Sequence, residues 1–280
     1  MAESLNTSPV LRRRACLAGL VLGGSLLVLA AAHVLAVALR SVALYSGFTL
    51  LFFCLVLTLF NGRKKLPFLP LGSARAWLDF HVCVGWISLV LFGCHLGWQW
   101  PHSVVNVVLA STFLLVALSG VVGLWLSRIL PPRLVGSGEP LTYERIPRLR
   151  AEIGEEARLL ALEAARATSA SSTFGDFYTR CLHSYLHAAP PWFLALRTTD
   201  SHYRSVSADL QALRRYMNDQ ERLLAERFDA IITAKRNLDF QASAQRLLKL
   251  WLFVHIPFTY SLLLLVVAHV LTVLAYHGRW

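Results

Sequence analysis

Four histidines stand inside two long apolar stretches, in pairs of identical spacing. The stretch WLDFHVCVGWISLVLFGCHLGW carries His81 and His95, and the stretch WLFVHIPFTYSLLLLVVAHVLTVLAYHG carries His255 and His269. Thirteen residues separate the members of each pair. On an α-helix, fourteen steps of about 100° make roughly 1,400°, within about 40° of four full turns, so each pair lies on one helix face. At about 1.5 Å of rise per residue, its members sit roughly 21 Å apart along the axis. Polar groups are costly in lipid, which makes intramembrane ionisable residues functional candidates by default. Two imidazoles that face each other at one depth can ligate a haem iron from both sides, and this chain supplies the arrangement twice. The plainer reading, histidines that only hydrogen-bond a neighbouring helix, accounts poorly for two matched pairs.

The positioning elements follow from the apolar runs. The chain has 280 residues, 56% hydrophobic and only 15% charged, against about 25% charged in an ordinary soluble domain. Five segments reach the roughly 20 apolar residues that a spanning helix needs: 15–39, 43–61, 77–99, 103–127 and 250–276. The first follows Arg12-Arg13-Arg14 and resembles a secretory signal in its small residues, but its apolar run continues to Leu39. That is too long for a signal h-region, so it reads as a retained span. The net charge of +11 gathers beside these runs rather than on a nucleic-acid-binding face, and no nucleic-acid partner is expected. Arg63, Lys64, Lys65, Arg75, Arg128, Arg133, Arg246 and Lys249 fall on the side of Arg12–Arg14. The positive-inside bias therefore puts the N-terminus and the 128–249 segment in the cytoplasm.

With that topology the third and fifth spans run in the same direction. His81 and His255 then share an inner level, and His95 and His269 an outer one. The only methionines are Met1 and Met217, neither in a span, so a His/Met haem inside the membrane has no ligand. Gly85, one turn beyond His81, and Gly93, close to His95, keep bulk low where a flat macrocycle must approach; Ser119, Gly120 and Gly123 are small residues in span four. Close helix packing in lipid explains such residues equally well. Arg75, Arg246 and Lys249 inside, and Arg40 or Arg279 outside, are candidate partners for haem propionates or simple interfacial anchors. His33, alone in the outer third of span one, is a candidate for a propionate or a quinone pocket, with helix packing as the alternative. His183 and His187, four residues apart, have no evident third metal ligand, and His102 and His277 fall in outer loops. The five cysteines show no C-x-x-C and no C-x-x-C-H, so no disulfide framework, structural zinc, iron–sulfur cluster or covalently attached haem is expected.

The expected fold is all-α: an integral membrane bundle of five transmembrane helices with a helical soluble insertion between helices four and five. Its parts are 1–127 (four spans), 128–249 (the insertion) and 250–280 (the fifth span, completing the bundle). In the insertion, Leu149, Ile153, Ala157, Leu160 and Leu162 recur at helical spacing, and a second apolar stripe runs from about Ser205 to Asn237. No Gly-rich phosphate loop and no serine-nucleophile elbow occurs in it. It reads as a helical docking element for partners.

The two H-x13-H helices resemble those of di-haem membrane cytochrome b, the superfamily that includes the cytochrome b subunit of quinol:cytochrome c oxidoreductases and ferric-reductase-type transmembrane domains. The resemblance covers chiefly 77–127 and 250–276. It implies two non-covalent haem b groups, ligated by His81 with His255 and by His95 with His269, and transmembrane electron transfer within an oxidoreductase complex. The chain departs from the family in its large insertion, in lacking the quinol-site P-E-W-Y type motif, and in lacking a flavin- or nicotinamide-binding segment. A quinone is thus one candidate electron source beside a partner protein, and cytochrome c or iron–sulfur subunits are the expected redox partners. The expected location is the bacterial inner membrane. The rival class is a haem-free transporter or channel that uses the histidines as a proton or metal relay.

Overall fold

A computed structural model describes residues 9–65, 73–135, 143–167, 171–190 and 201–277. Among these every regular element is helical, so the fold is all-α. In chain order the helices are α1 (Pro9–Val37), α2 (Val42–Lys65), α3 (Ala74–His95), α4 (Val104–Val135), α5 (Ile146–Ala167), α6 (Ser171–Phe177), α7 (His183–His187), α8 (Ser201–Arg214) and α9 (Asp219–His277). A π-helical turn, Tyr178–Leu182, joins α6 to α7. Five helices, α1 to α4 and α9, carry stretches long and apolar enough to cross a bilayer, and the chain is an integral membrane protein. Helices suit that setting because hydrocarbon offers no partner for a free backbone N–H or C=O. The chain forms two compact units: Met1–Leu124 with Phe253–Trp280, and Trp125–Leu252.

The first unit holds the membrane helices that carry the paired histidines. Arg13 on α1 forms an ion pair with Asp79 on α3. Farther along the same two helices, a Cβ at Gly24 would lie 2.5 Å from Ile87 Cδ1, so any larger residue would have to push the Ile87 side chain aside. Ser73 caps α3, its hydroxyl accepting from the Ala76 N–H at 3.2 Å. The helix ends just past His95 in a left-handed turn at Gly97 (φ +61°) and Trp98 (φ +60°), with the Trp98 N–H bonded to the Gly93 carbonyl at 3.0 Å. Cys54 of α2, Phe113 of α4 and Leu262 of α9 form a small buried core, joined by Leu89 and Phe92 of α3. Phe92 stacks on Phe113 with ring centres 4.2 Å apart. Pro257 lies inside α9; having no N–H, it cannot donate to the carbonyl four residues earlier.

The second unit has an aqueous-type core, with Phe174, Phe228, Leu160, Leu182, Leu210 and Ile232 buried. Phe174 and Phe228 stack at 5.7 Å. Beside this core lies a buried ionic group: Asp239 takes hydrogen bonds from Arg150 and Lys235, and Lys235 also donates to the Ala188 carbonyl at 3.3 Å. The structure adds two boundaries to the sequence pattern. The apolar stripe from Ser205 to Asn237 is carried by α8 and the start of α9, separated at 215–218. The break has a local cause: Asn218 Oδ1 accepts from the Glu221 N–H at 2.9 Å, and Glu221 accepts from the Asn218 N–H at 3.0 Å. This reciprocal cap starts a new helix. The fifth apolar stretch, 250–276, forms the second half of α9, which opens at Asp219.

Candidate functional site

His95 of α3 meets His269 of α9, and His81 lies within electrostatic reach of His255. The rings of His95 and His269 stand with centres 6.3 Å apart and planes at 88°. His81 and His255 are close enough to interact electrostatically, as are His95 and His269. The two helices therefore run in the same direction at this site, and the equal spacing places one facing pair at each of two levels.

The surrounding helices orient these rings. His95 Nδ1 lies 2.9 Å from the Ala43 carbonyl of α2. A carbonyl can only accept, so Nδ1 carries the hydrogen and Nε2 of the neutral ring keeps its lone pair. Ser46 Oγ, itself donating to the Val42 carbonyl at 2.6 Å, sits 3.5 Å from the same ring nitrogen. Gly47 makes room for the ring, because a Cβ there would lie 2.9 Å from His95 Cε1. On the other level, His255 Nδ1 lies 2.9 Å from Ser119 Oγ of α4, and His81 hydrogen-bonds the main chain of Leu57 on α2 through Nε2 rather than Nδ1. Ala43 and Leu57 are fourteen positions apart, the same interval as the histidines they hold.

The spacing of the outer pair is compatible with two imidazoles that share one metal ion. A metal–imidazole bond of about 2.0–2.1 Å, with about 1.1 Å more to the ring centre, puts two opposed ligand rings roughly 6–6.5 Å apart, and His95 and His269 stand at 6.3 Å. Crossed planes are compatible, since each ring can turn about its own metal bond. At His95 and His255 a hydrogen bond at Nδ1 leaves Nε2 for a metal, the usual arrangement of a ligating histidine, whereas at His81 the bond leaves Nδ1. Among the described residues no group of three or more His, Cys, Asp or Glu could hold a bare metal ion. Such an ion takes three or four protein ligands, whereas a haem asks the protein for one or two.

Other residues singled out by the sequence lie as follows. A Cβ at Gly85 would meet nothing within 4 Å, so helix packing does not require glycine there. At Gly93 it would lie 2.7 Å from the Trp98 ring; that space belongs to Trp98, which corrects the reading of Gly93 as clearance for a macrocycle. Arg75 is exposed in the first turn of α3, Arg40 is exposed between α1 and α2, and His33 is exposed on α1. Arg246 and Lys249 belong to the second unit, where the Lys249 ammonium sits 3.7 Å from the centre of the Tyr143 ring. Arg279 lies outside the described residues. His183 and His187 stack on each other with centres 4.2 Å apart. The orienting groups Ala43, Ser46, Gly47 and Leu57 were not foreseen. The only sequence signal for Ser119 was its small size.

Fold and site together define a class: an all-α integral membrane protein with histidines paired between α3 and α9. Comparison with protein-family models, with curated proteins and with solved structures finds no match for this chain.

Proposed function

We propose that this chain is a di-haem b-type cytochrome that carries electrons across a membrane as the membrane subunit of a redox complex. The observation that carries the reading is the close pair His95–His269, with ring centres 6.3 Å apart, and a second pair fourteen residues away in which His81 lies within electrostatic reach of His255. His81 and His255 would hold the inner haem, and His95 and His269 the outer one. A haem iron supplies reversible one-electron chemistry, its potential set by the axial ligands, their hydrogen bonds and burial.

The chain's own residues do the rest. Ala43, Leu57 and Ser119 hold the imidazoles by hydrogen bonds. Leu262, midway in sequence between His255 and His269, packs with Cys54 and Phe113 in an apolar layer that keeps water from the helix interfaces. Electrons enter from quinol or a partner protein on one side and leave to a cytochrome c or iron–sulfur partner on the other. The basic loops orient the chain with its N-terminus and the 128–249 segment cytoplasmic, in a bacterial inner membrane. Moving one charge through the full membrane potential involves about 2.3 kcal/mol per 100 mV, so the partners' potentials set the direction of flow.

The test is a reduced-minus-oxidised spectrum with haem quantification on protein purified from haem-replete cells. Two non-covalent b-type haems per chain are expected. A colourless preparation would overturn the reading in favour of a haem-free transporter or channel.

A further inference from the structure

We infer that Ser119 is a positioning residue that sets the reduction potential of the inner haem independently of the outer one; this rests on the di-haem reading above. The two levels are not equivalent. At the outer level His95 Nδ1 bonds a main-chain carbonyl, that of Ala43, at 2.9 Å. At the inner level His255 Nδ1 bonds a side chain, the Ser119 hydroxyl, also at 2.9 Å. Ser119 lies inside α4, a helix that supplies no histidine to either pair. Its neighbour Gly120 leaves the ring in ordinary contact distance, since a Cβ there would lie 4.0 Å from His255 Cε1. At this point α4 therefore offers His255 little bulk and one polar atom, set against the ring nitrogen that faces away from a metal bound at Nε2.

The chemistry follows from the imidazole. Once Nε2 gives its lone pair to a metal, the ring hydrogen must sit on Nδ1, and Nδ1–H then donates to Ser119 Oγ. An acceptor at Nδ1 draws on that hydrogen and raises ligand basicity. A more basic ligand stabilises the oxidised iron over the reduced iron, which lowers the potential. The hydroxyl also holds the ring plane. At the outer level the acceptor is backbone, so no side-chain replacement removes it. At the inner level His81 keeps its bond to the Leu57 main chain, but the acceptor for His255 is a side-chain oxygen and can be deleted.

The experiment is a spectroscopic redox titration of the full-length protein with its haems, comparing the unaltered chain, Ser119→Ala and Ser119→Thr. The His81→Ala variant identifies which midpoint belongs to the inner haem, as the one it lacks. With Ser119→Ala, the inner midpoint is expected to rise while the outer one stays within error; Ser119→Thr, which keeps a hydroxyl, returns it toward the original value. Loss of the inner haem alone in Ser119→Ala, with retention in Ser119→Thr, also supports the positioning role. Two haems with both midpoints unmoved, both moved equally, or no recovery with threonine would overturn it. If the unaltered protein binds no haem, the di-haem reading itself falls and takes this inference with it, an outcome distinct from a haem-loaded protein indifferent to Ser119.

Discussion

A ligand histidine and the groups that aim it are separable by mutation. His81→Ala or His255→Ala is expected to remove one of two haems and spare the other, read as a halved haem-to-protein ratio; His95→Ala and His269→Ala should each remove the other haem. Retention of both haems in all four variants would break the assignment. Gly47 gives a sharper test, because it touches no cofactor in this reading. A Cβ there would lie 2.9 Å from Cε1 and 3.2 Å from Nδ1 of His95, and overpacking of this kind typically costs about 1–3 kcal/mol. The ring is the part able to move, and moving it gives up the Ala43 bond. Gly47→Ala should therefore lower outer-haem occupancy and leave the inner haem in place, whereas Gly85→Ala, which meets nothing within 4 Å, should not disturb the apo fold. At this scale the histidines were legible because residue type and a fourteen-step interval survive in a string of letters. Ala43 and Leu57 were not, since a carbonyl looks the same on every residue. Ser119 could be noticed only as small, because its hydroxyl gains meaning from His255, 136 positions away.

Helices keep their places by different means in the two units. In the second, the Asp239 carboxylate lies between Arg150 and Lys235, with the Lys235 side chain 1% exposed and that of Asp239 8%. Removing one partner of a buried ion pair leaves an uncompensated charge and costs about 3–5 kcal/mol. Asp239→Asn should lower the stability of this unit by an amount of that order, measured by thermal melting or limited proteolysis of the whole protein. Phe228→Ala, which empties a fully buried site stacked on Phe174, should cost a similar amount, about 3–5 kcal/mol. The membrane unit lacks that hydrophobic drive, since lipid is as apolar as leucine, and close packing takes its place. Gly24 against Ile87 and Phe92 on Phe113 are examples. Element existence was legible from long apolar runs. The division of 205–237 was not, because the apolar stripe passes through the turn, and the Asn218–Glu221 cap that marks it is only two ordinary polar residues in the sequence.

For the molecule as a whole, the apolar helices require that the chain stay with the bilayer under alkaline carbonate and come away only with detergent; release by carbonate would contradict the membrane reading. Cysteine labelling from each side, at positions introduced before α1 and within 143–167, is expected to place both in the cytoplasm. The whole-chain plan was legible where charge and hydropathy change together, as at the ends of the 128–249 segment. Its order along the polypeptide has a consequence for biogenesis. The first four spans, and with them His81 and His95, leave the ribosome long before His255 and His269 are made. At the usual elongation rate of about 5–20 residues per second, on the order of ten to thirty seconds pass between the two halves of the inner pair. Throughout that interval the nascent chain has only half-sites, and the last helix to be synthesised closes both at once. On the di-haem proposal, cofactor loading is then a late, post-insertional event, and a ribosome-arrested chain that stops short of α9 should be colourless even with its other four spans in place.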